Sequence, residues 1–447
     1  MNTSHQIRCR SLPLLIVLFA ILLASPSHAA DFFFHDGDRV VFLGDSITEQ
    51  RLYTTYIEAY TLARFPQWKL TFRNSGWSGD TSWLRYRHQT DENVLFATND
   101  VAQQQMVETA VRDGLERDVL PLHPTAVTID FGMNDHSYQA FRPDICRAYV
   151  RSETELAKVL SQHGARVALL TTQPIEDHRP DPQNDARNQS LRKFGDALKG
   201  VATNTGAVFV DQFDPYMTAM LHERAANPAA YIGGGDAVHP GPPGHTIMAW
   251  AILKGLGAPS LVSSAVIDAA HGTVTSAAGC TITNLKVMGD NVGFDRLDQA
   301  LPMPVDANAV PSFRIVPVLE DLSRYELEVS GLKAPSYTLT IDDVAAGTFT
   351  RDQLATGCNL TGVPGPITEQ ARTILKLVFD KNNVYYDRWR KVQLYKLPDW
   401  LRSPDFEQQK AAELARLDRK IADFETQIDV ARQLKPHRFE LKPTEKP

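Results

Sequence analysis

Up to about residue 257, short apolar runs alternate with stretches of helical periodicity. The runs at 39–43, 69–73, 126–131, 165–171 and 207–211 are bounded by polar, Gly or Pro residues and read as strands. Between them, at 54–64, 101–119, 144–163 and 186–203, apolar residues recur every three or four positions. In the last stretch Leu191, Phe194, Ala197, Leu198 and Val201 share one helical face. Gly164 and Gly206 stand where a helix must stop before a strand. A final helix at 244–256 carries Ile247, Met248, Trp250, Ala251 and Ile252. This alternation predicts an α/β domain: a parallel sheet with helices on both faces. In such sheets ligands sit at the carboxyl ends of the strands.

The pattern changes after Pro259. Residues 261–398 hold short alternating runs punctuated by Gly and Pro, which predicts a β-rich appendage with one helical piece at 368–379. From Pro404 to about Gln433 the periodicity is helical again, with Leu414, Leu417, Ile421, Phe424 and Ile428 on one face of a charged, amphipathic helix. At the other end, Arg8 and Arg10 precede an apolar segment, 12–24, and small residues follow at Ser27 and Ala29. That is the layout of a secretory signal, and the apolar run is short for a membrane span. The expected division is a signal peptide at 1–29, the α/β domain at 30–260, the appendage at 261–398 and a helical tail at 399–447. The expected location is secreted or periplasmic, without stable membrane insertion once the signal is cleaved.

Composition narrows the classes. The 447 residues are 43% hydrophobic and 22% charged, ordinary for a soluble protein with a sizeable core. A net charge of −7 argues against nucleic acid as a partner, because phosphate binding needs a basic face. Beyond the signal three cysteines remain, Cys146, Cys280 and Cys358, so one internal disulfide at most can form. Cys280 and Cys358 lie in the same later region and are the expected pair in an oxidising compartment. No Cys-x-x-Cys, His-Glu-x-x-His or calcium-loop pattern occurs, so no metal or cofactor is expected.

Candidate chemistry gathers where strands end. The first strand runs into Gly44-Asp45-Ser46, which is either a helix cap or a presented hydroxyl. The second runs into Asn74-Ser75-Gly76-Trp77-Ser78-Gly79-Asp80-Thr81, and the third into Gly132-Met133-Asn134-Asp135. Late in the chain Asp236-Ala237-Val238-His239 precedes the last helix. All four fall on one edge of one sheet. No Gly-x-Ser-x-Gly surrounds Ser46 or Ser78, which disfavours the nucleophile elbow of the α/β-hydrolase fold.

These four blocks, in this order, resemble those of the SGNH hydrolases, or GDSL esterase/lipase family, over about residues 36–257. The appendage and tail resemble extensions of secreted bacterial, planctomycete-type members. One departure is Ile47, where the family has Leu; it is apolar, is expected to point into the core, and puts nothing catalytic in doubt. The resemblance implies a three-layer α/β/α sandwich with a five-stranded parallel, flavodoxin-like sheet. It also implies a Ser-His-Asp triad of Ser46, His239 and Asp236. A hydroxyl needs a base to become a nucleophile, and histidine, the residue type at 239, is the usual general base near neutral pH. Asp236, three residues earlier, can fix its tautomer and stabilise the imidazolium. The tetrahedral oxyanion would meet the N–H groups of Ser46 and Gly79 and the amide of Asn134, each worth about 10²–10³ in rate. Gly76 is the rival of Gly79. Asp45, His136 and His245 read as structural.

Trp77, Trp83 and Tyr86 follow the second strand. An aromatic there can stack on a sugar ring or pack within the loop. The expected function is a secreted serine esterase acting on a small-molecule or glycan ester, with an acetylated carbohydrate as the leading substrate. The alternatives are a lipase or longer-chain esterase, disfavoured by the absence of an apolar lid near the motifs, and a catalytically idle carbohydrate-binding protein. The oligomeric state is not legible.

Overall fold

A computed structural model describes residues 32–444; the expected signal segment, 1–29, lies outside the described residues. The α/β part contains strands β1 (Arg39–Gly44), β2 (Thr71–Gly76), β3 (Ala126–Asp130), β4 (Arg166–Leu170) and β5 (Val208–Val210). They form one all-parallel sheet in the order β2-β1-β3-β4-β5. Successive side chains of a strand point to opposite faces, and the two faces here are two separate cores. Val40 and Phe42 of β1 join one apolar cluster with Phe72, Ala168 and Val210, whereas Val41 and Leu43 join another with Val127, Ile129 and Leu169. Burial on both faces is why these strands read as continuous apolar runs rather than as alternating ones.

Helices cover both sides. The first core is closed by α2 (Leu52–Arg64) and by the helices Phe213–Ala226 and Pro242–Gly255. The second is closed by Asp100–Asp118, Pro143–Gln162 and Ala186–Thr205. The last of these ends on Gly206 in the left-handed region (φ 75°), where a side chain would be strained. The helix Phe213–Ala226 was not among the expected elements.

The register decides where the site can form. Gly44 pairs with Gly76 of β2 on one side and Asp130 of β3 on the other. The three segments that follow, from Asp45, Trp77 and Phe131, therefore leave the sheet side by side at its carboxyl edge.

Beyond Pro259 come two further sheets, with strands β6 (Leu261–Asp268), β7 (Thr273–Ala278), β8 (Cys280–Met288), β9 (Asn291–Asp298), β10 (Arg324–Ser330), β11 (Ser336–Ile341), β12 (Val344–Thr350), β13 (Cys358–Asn359) and β14 (His437–Pro443). One sheet has the order β13-β10-β6-β7, the other β12-β11-β14-β9-β8. Ile267, Leu327 and Val329 of the first sheet and Phe294, Leu339, Phe439 and Leu441 of the second belong to the same core cluster as the first face of the α/β sheet. Two long helices, Pro366–Tyr386 and Pro404–Ala431, complete the region. The chain end differs from a helical tail: β14 lies between β11 and β9, in the interior of its sheet.

The expected Cys280–Cys358 disulfide is corrected: Cys146, Cys280 and Cys358 are buried free thiols. Cys280 Sγ donates to the Ser264 carbonyl of β6 at 3.3 Å. Cys358 faces Leu327 of β10, and β10 in turn pairs with β6. With β10 between them, two strand spacings of about 4.8 Å each separate Cys358 from β6, the strand that Cys280 touches, more than a disulfide spans.

Candidate active site

Ser46 opens a single helical turn, α1 (Ser46–Glu49), directly after β1. Asp45 caps that turn: its Oδ1 accepts the Ile47 N–H at 2.9 Å. Gly44 is dictated by space. A Cβ on it would lie 2.1 Å from Thr48 Oγ1 and 2.7 Å from the Asp130 carbonyl oxygen, so the tight turn admits no side chain.

The loop before the helix Pro242–Gly255 brings His239 to the same edge. Ser46 Oγ lies 2.9 Å from His239 Nε2, across 193 residues of sequence. His239 Nδ1 lies 3.1 Å from Asp236 Oδ2. A carboxylate can only accept, so Nδ1 carries the proton and Nε2 accepts from the Ser46 hydroxyl. Asp236 Oδ1 also accepts the N–H groups of Val238 and His239, both at 2.8 Å. Burial raises the Asp236 pKa, but the backbone N–H groups of His239 and Val238 and the His239 ring outweigh it, and the carboxyl sits below its usual value. Asp236 stands at the surface, its side chain 68% exposed, while Ser46 is buried.

The loops after β2 and β3 meet the turn that carries Ser46, through Ser78 on Glu49 and Asn134 on Asp45. The Gly79 N–H has no hydrogen-bond partner among the described residues, and Gly79 takes a left-handed φ of 76°. Gly76 is different: its N–H is already donated to Asn74 Oδ1 at 2.9 Å, which leaves the rival position occupied. Asn134 is fixed at both ends of its amide. Its Nδ2 donates to the Asp80 carbonyl at 2.9 Å and more loosely to Asp45 Oδ2 at 3.3 Å, while its Oδ1 accepts the Tyr138 hydroxyl at 3.0 Å.

A layer of buried carboxyls underlies these loops. Asp135 accepts the backbone N–H and hydroxyl of Ser82 and the Gly132 N–H, tying the second loop to the third. Asp80 pairs with buried Arg87 at 2.7 Å. Burial pushes Asp130 up to about 7 and Asp135 up to about 6, and raises Asp45 well above the carboxylate range with help from Asp130. Among the described residues, no group of three or more His, Cys, Asp or Glu side chains is arranged to hold a metal ion.

The other expected residues divide. His245 is buried, accepts the Tyr53 N–H on Nδ1 at 3.3 Å and meets Gln50 through Nε2 at 2.9 Å; burial lowers its pKa to about 3. His136 is likewise buried and lowered to about 4. Trp83 is corrected as a sugar platform: it is 1% exposed, packs edge-on against Phe96 and donates Nε1–H to Glu92. Trp77 is half-buried, with the guanidinium of Arg390 3.8 Å from its ring centre and Trp389 edge-on to it. Tyr86 is 50% exposed and lies against Gly79. Sequence reasoning missed Tyr138. The signal was its place four residues after Asn134, within reach of that amide.

A model of the GDSL-like Lipase/Acylhydrolase family matches residues 42–247. An acetylxylan esterase from Geobacillus stearothermophilus is 26% identical over 248 residues, covering 49% of this chain and 94% of the relative. Among solved structures, a gut microbial diltiazem-metabolizing enzyme matches with a TM-score of 0.74 at 23% identity, covering 92% of this chain and 98% of that one. That likeness shows a shared fold that extends through the appendage. An acetylxylan esterase structure, also from Geobacillus stearothermophilus, covers 50% of this chain and 95% of its own at 23% identity, with a TM-score of 0.38.

Proposed function

Residues 42–247 form a GDSL-like lipase/acylhydrolase domain, so the protein is a hydrolase of ester bonds, and from that premise we propose a serine esterase that removes small acyl groups, acetyl foremost, from carbohydrate. In this reading Ser46 Oγ attacks the ester carbonyl carbon while its proton passes to His239 Nε2. Asp236 holds the ring in the required tautomer and stabilises the imidazolium. The oxyanion is met by the N–H groups of Ser46 and Gly79 and by the amide N–H of Asn134 that Asp45 holds only loosely. Collapse expels the alcohol, protonated by His239, and leaves an acyl-enzyme. Water, deprotonated by His239, then attacks the acyl carbon; the acid departs and Ser46 regains its proton.

The observation that carries this reading is the 2.9 Å approach of Ser46 Oγ to His239 Nε2, with Asp236 behind the ring. The acetyl and carbohydrate parts draw support from the acetylxylan esterase relative and from Tyr86, exposed beside Gly79. Export follows from the signal-like N-terminus. The purified protein is expected to hydrolyse p-nitrophenyl acetate faster than its longer-chain homologues and to release acetate from acetylated xylo-oligosaccharides. Ser46→Ala should lower kcat by at least about 10⁴ with the fold unchanged. Wild-type rates in that variant would overturn the assignment, and a steep rise with acyl length would favour a lipase.

A further inference from the structure

The chemistry above gives no task to the C-terminal region. Yet the helix Pro366–Tyr386 runs straight into a π-helical turn, Asp387–Gln393. Such wide turns are uncommon and gather at functional sites. The helix is firmly seated. Lys381 forms a buried ion pair with Glu58 of α2, and Asn382 Nδ2 donates to Thr55 Oγ1 at 2.9 Å and to Glu58 Oε2 at 3.0 Å.

From that seat, the end of the helix reaches the loop after β2. Trp389, itself buried, meets Trp77 edge-on with ring centres 6.0 Å apart, and Arg390 covers the Trp77 ring at 3.8 Å. Glu49, the last residue of α1, joins the two sides. Its Oε1 accepts the Tyr386 hydroxyl at 2.9 Å and lies 3.7 Å from Arg390 Nε. Its Oε2 accepts the backbone N–H of Ser78. Residue 77 is thus held by its ring and residue 78 by its backbone. The next N–H along the chain is that of Gly79.

We propose that residues 386–390 are a positioning clamp for the loop 77–79, aligning the Gly79 N–H with Ser46 through Glu49, a carboxylate on the nucleophile's own helical turn. The inference rests on the reading of Ser46 as nucleophile and Gly79 as oxyanion donor. Its physical basis is that a donor counts only when aimed at the oxyanion, and that a misplacement of about 1 Å can cost about 10² in rate. The clamp spans more than 300 residues of sequence, so it makes the appended region part of the rate-determining apparatus.

The test uses the full chain carrying Tyr386→Phe with Arg390→Ala, Glu49→Ala, and all three together. The readouts are kcat and KM on p-nitrophenyl acetate, the inhibition constant of methylboronic acid, and the melting temperature. The boronic acid forms a B–O bond with Ser46 Oγ, whose proton goes to His239; the tetrahedral anion it leaves needs the same donors as the oxyanion. The double variant is expected to lose about tenfold in kcat with KM within about twofold. Boronate affinity should fall in proportion, and the triple variant should lose little more than the worse of its parents. Arg416→Ala, in an exposed pair with Glu413, should change nothing. Tyr386→Phe alone removes one hydroxyl and should cost about threefold, which keeps the test open should the double variant fail to fold. Wild-type kcat and boronate affinity in the folded clamp variants would overturn the clamp, as would a kcat loss without a boronate loss. In either case a dead Ser46→Ala leaves the esterase reading standing, whereas an active Ser46→Ala removes that reading and the clamp with it.

Discussion

Tyr138 holds Asn134 by the oxygen end of its amide, and Ser137 and Tyr138 both take left-handed φ values, 56° and 55°. That conformation costs a non-glycine residue roughly 1–2 kcal/mol, so the turn is kept by its surroundings, and such strain gathers at active sites. Tyr138→Phe removes the donor that tells the amide oxygen from its nitrogen. The account predicts a kcat lower by about fivefold, the worth of about 1 kcal/mol, with KM little changed; equal kcat values would refute it. Asp130 makes a different prediction. Burial raises its pKa to about 7, while an Asp in an unfolded chain titrates near about 3.9. Between those values the native state keeps a proton that the unfolded chain has shed. The stability it contributes is full below about pH 4 and lost as pH rises through about 7. Asp130→Asn should therefore flatten the decline in urea midpoint between pH 5 and 8, and an undiminished slope would contradict this. At this scale Ser46, Asn134 and His239 stand out in the sequence because short Gly-flanked motifs carry them. Trp83 was misjudged because residue type does not reveal exposure: the same indole serves a core or a ligand.

Among the elements, β1 was legible almost to the residue. Its apolar run is buried on both faces and ends at a glycine that the turn requires. The register that levels Gly44 with Gly76 and Asp130 is what turns three separate strand ends into one edge. β14 was overlooked although Phe439 and Leu441 alternate with polar residues. Seven residues give a weak period, and its partners β9 and β11 lie about 100 or more residues away. Helix packing yields a stability prediction. Glu58 of α2 and Lys381 of the helix Pro366–Tyr386 are both almost wholly buried. Lys381→Met leaves the carboxylate buried without its cation, with Asn382 as its remaining hydrogen-bond partner, and should cost about 3–5 kcal/mol, whereas Glu58→Gln with Lys381→Met should recover most of it. Chemical denaturation of the three proteins checks this; a single variant as stable as the parent would show that the pair does not hold the helix.

Over the whole molecule, the α/β sheet, the two appended sheets and the C-terminal helices share one apolar core. The sequence showed where the composition changes near Pro259 but not that the parts interlock, since contacts such as Glu49–Tyr386 join residues whose relation no local pattern encodes. The convergence of Ser46 with His239 was legible only through family resemblance, for the same reason. That convergence is the central claim, and covalent capture tests it most directly. After reaction with a fluorophosphonate, peptide mapping by mass spectrometry should find one adduct, on Ser46, at a rate that collapses in His239→Ala. An adduct on another residue, or none in a protein that still hydrolyses p-nitrophenyl acetate, would contradict the account.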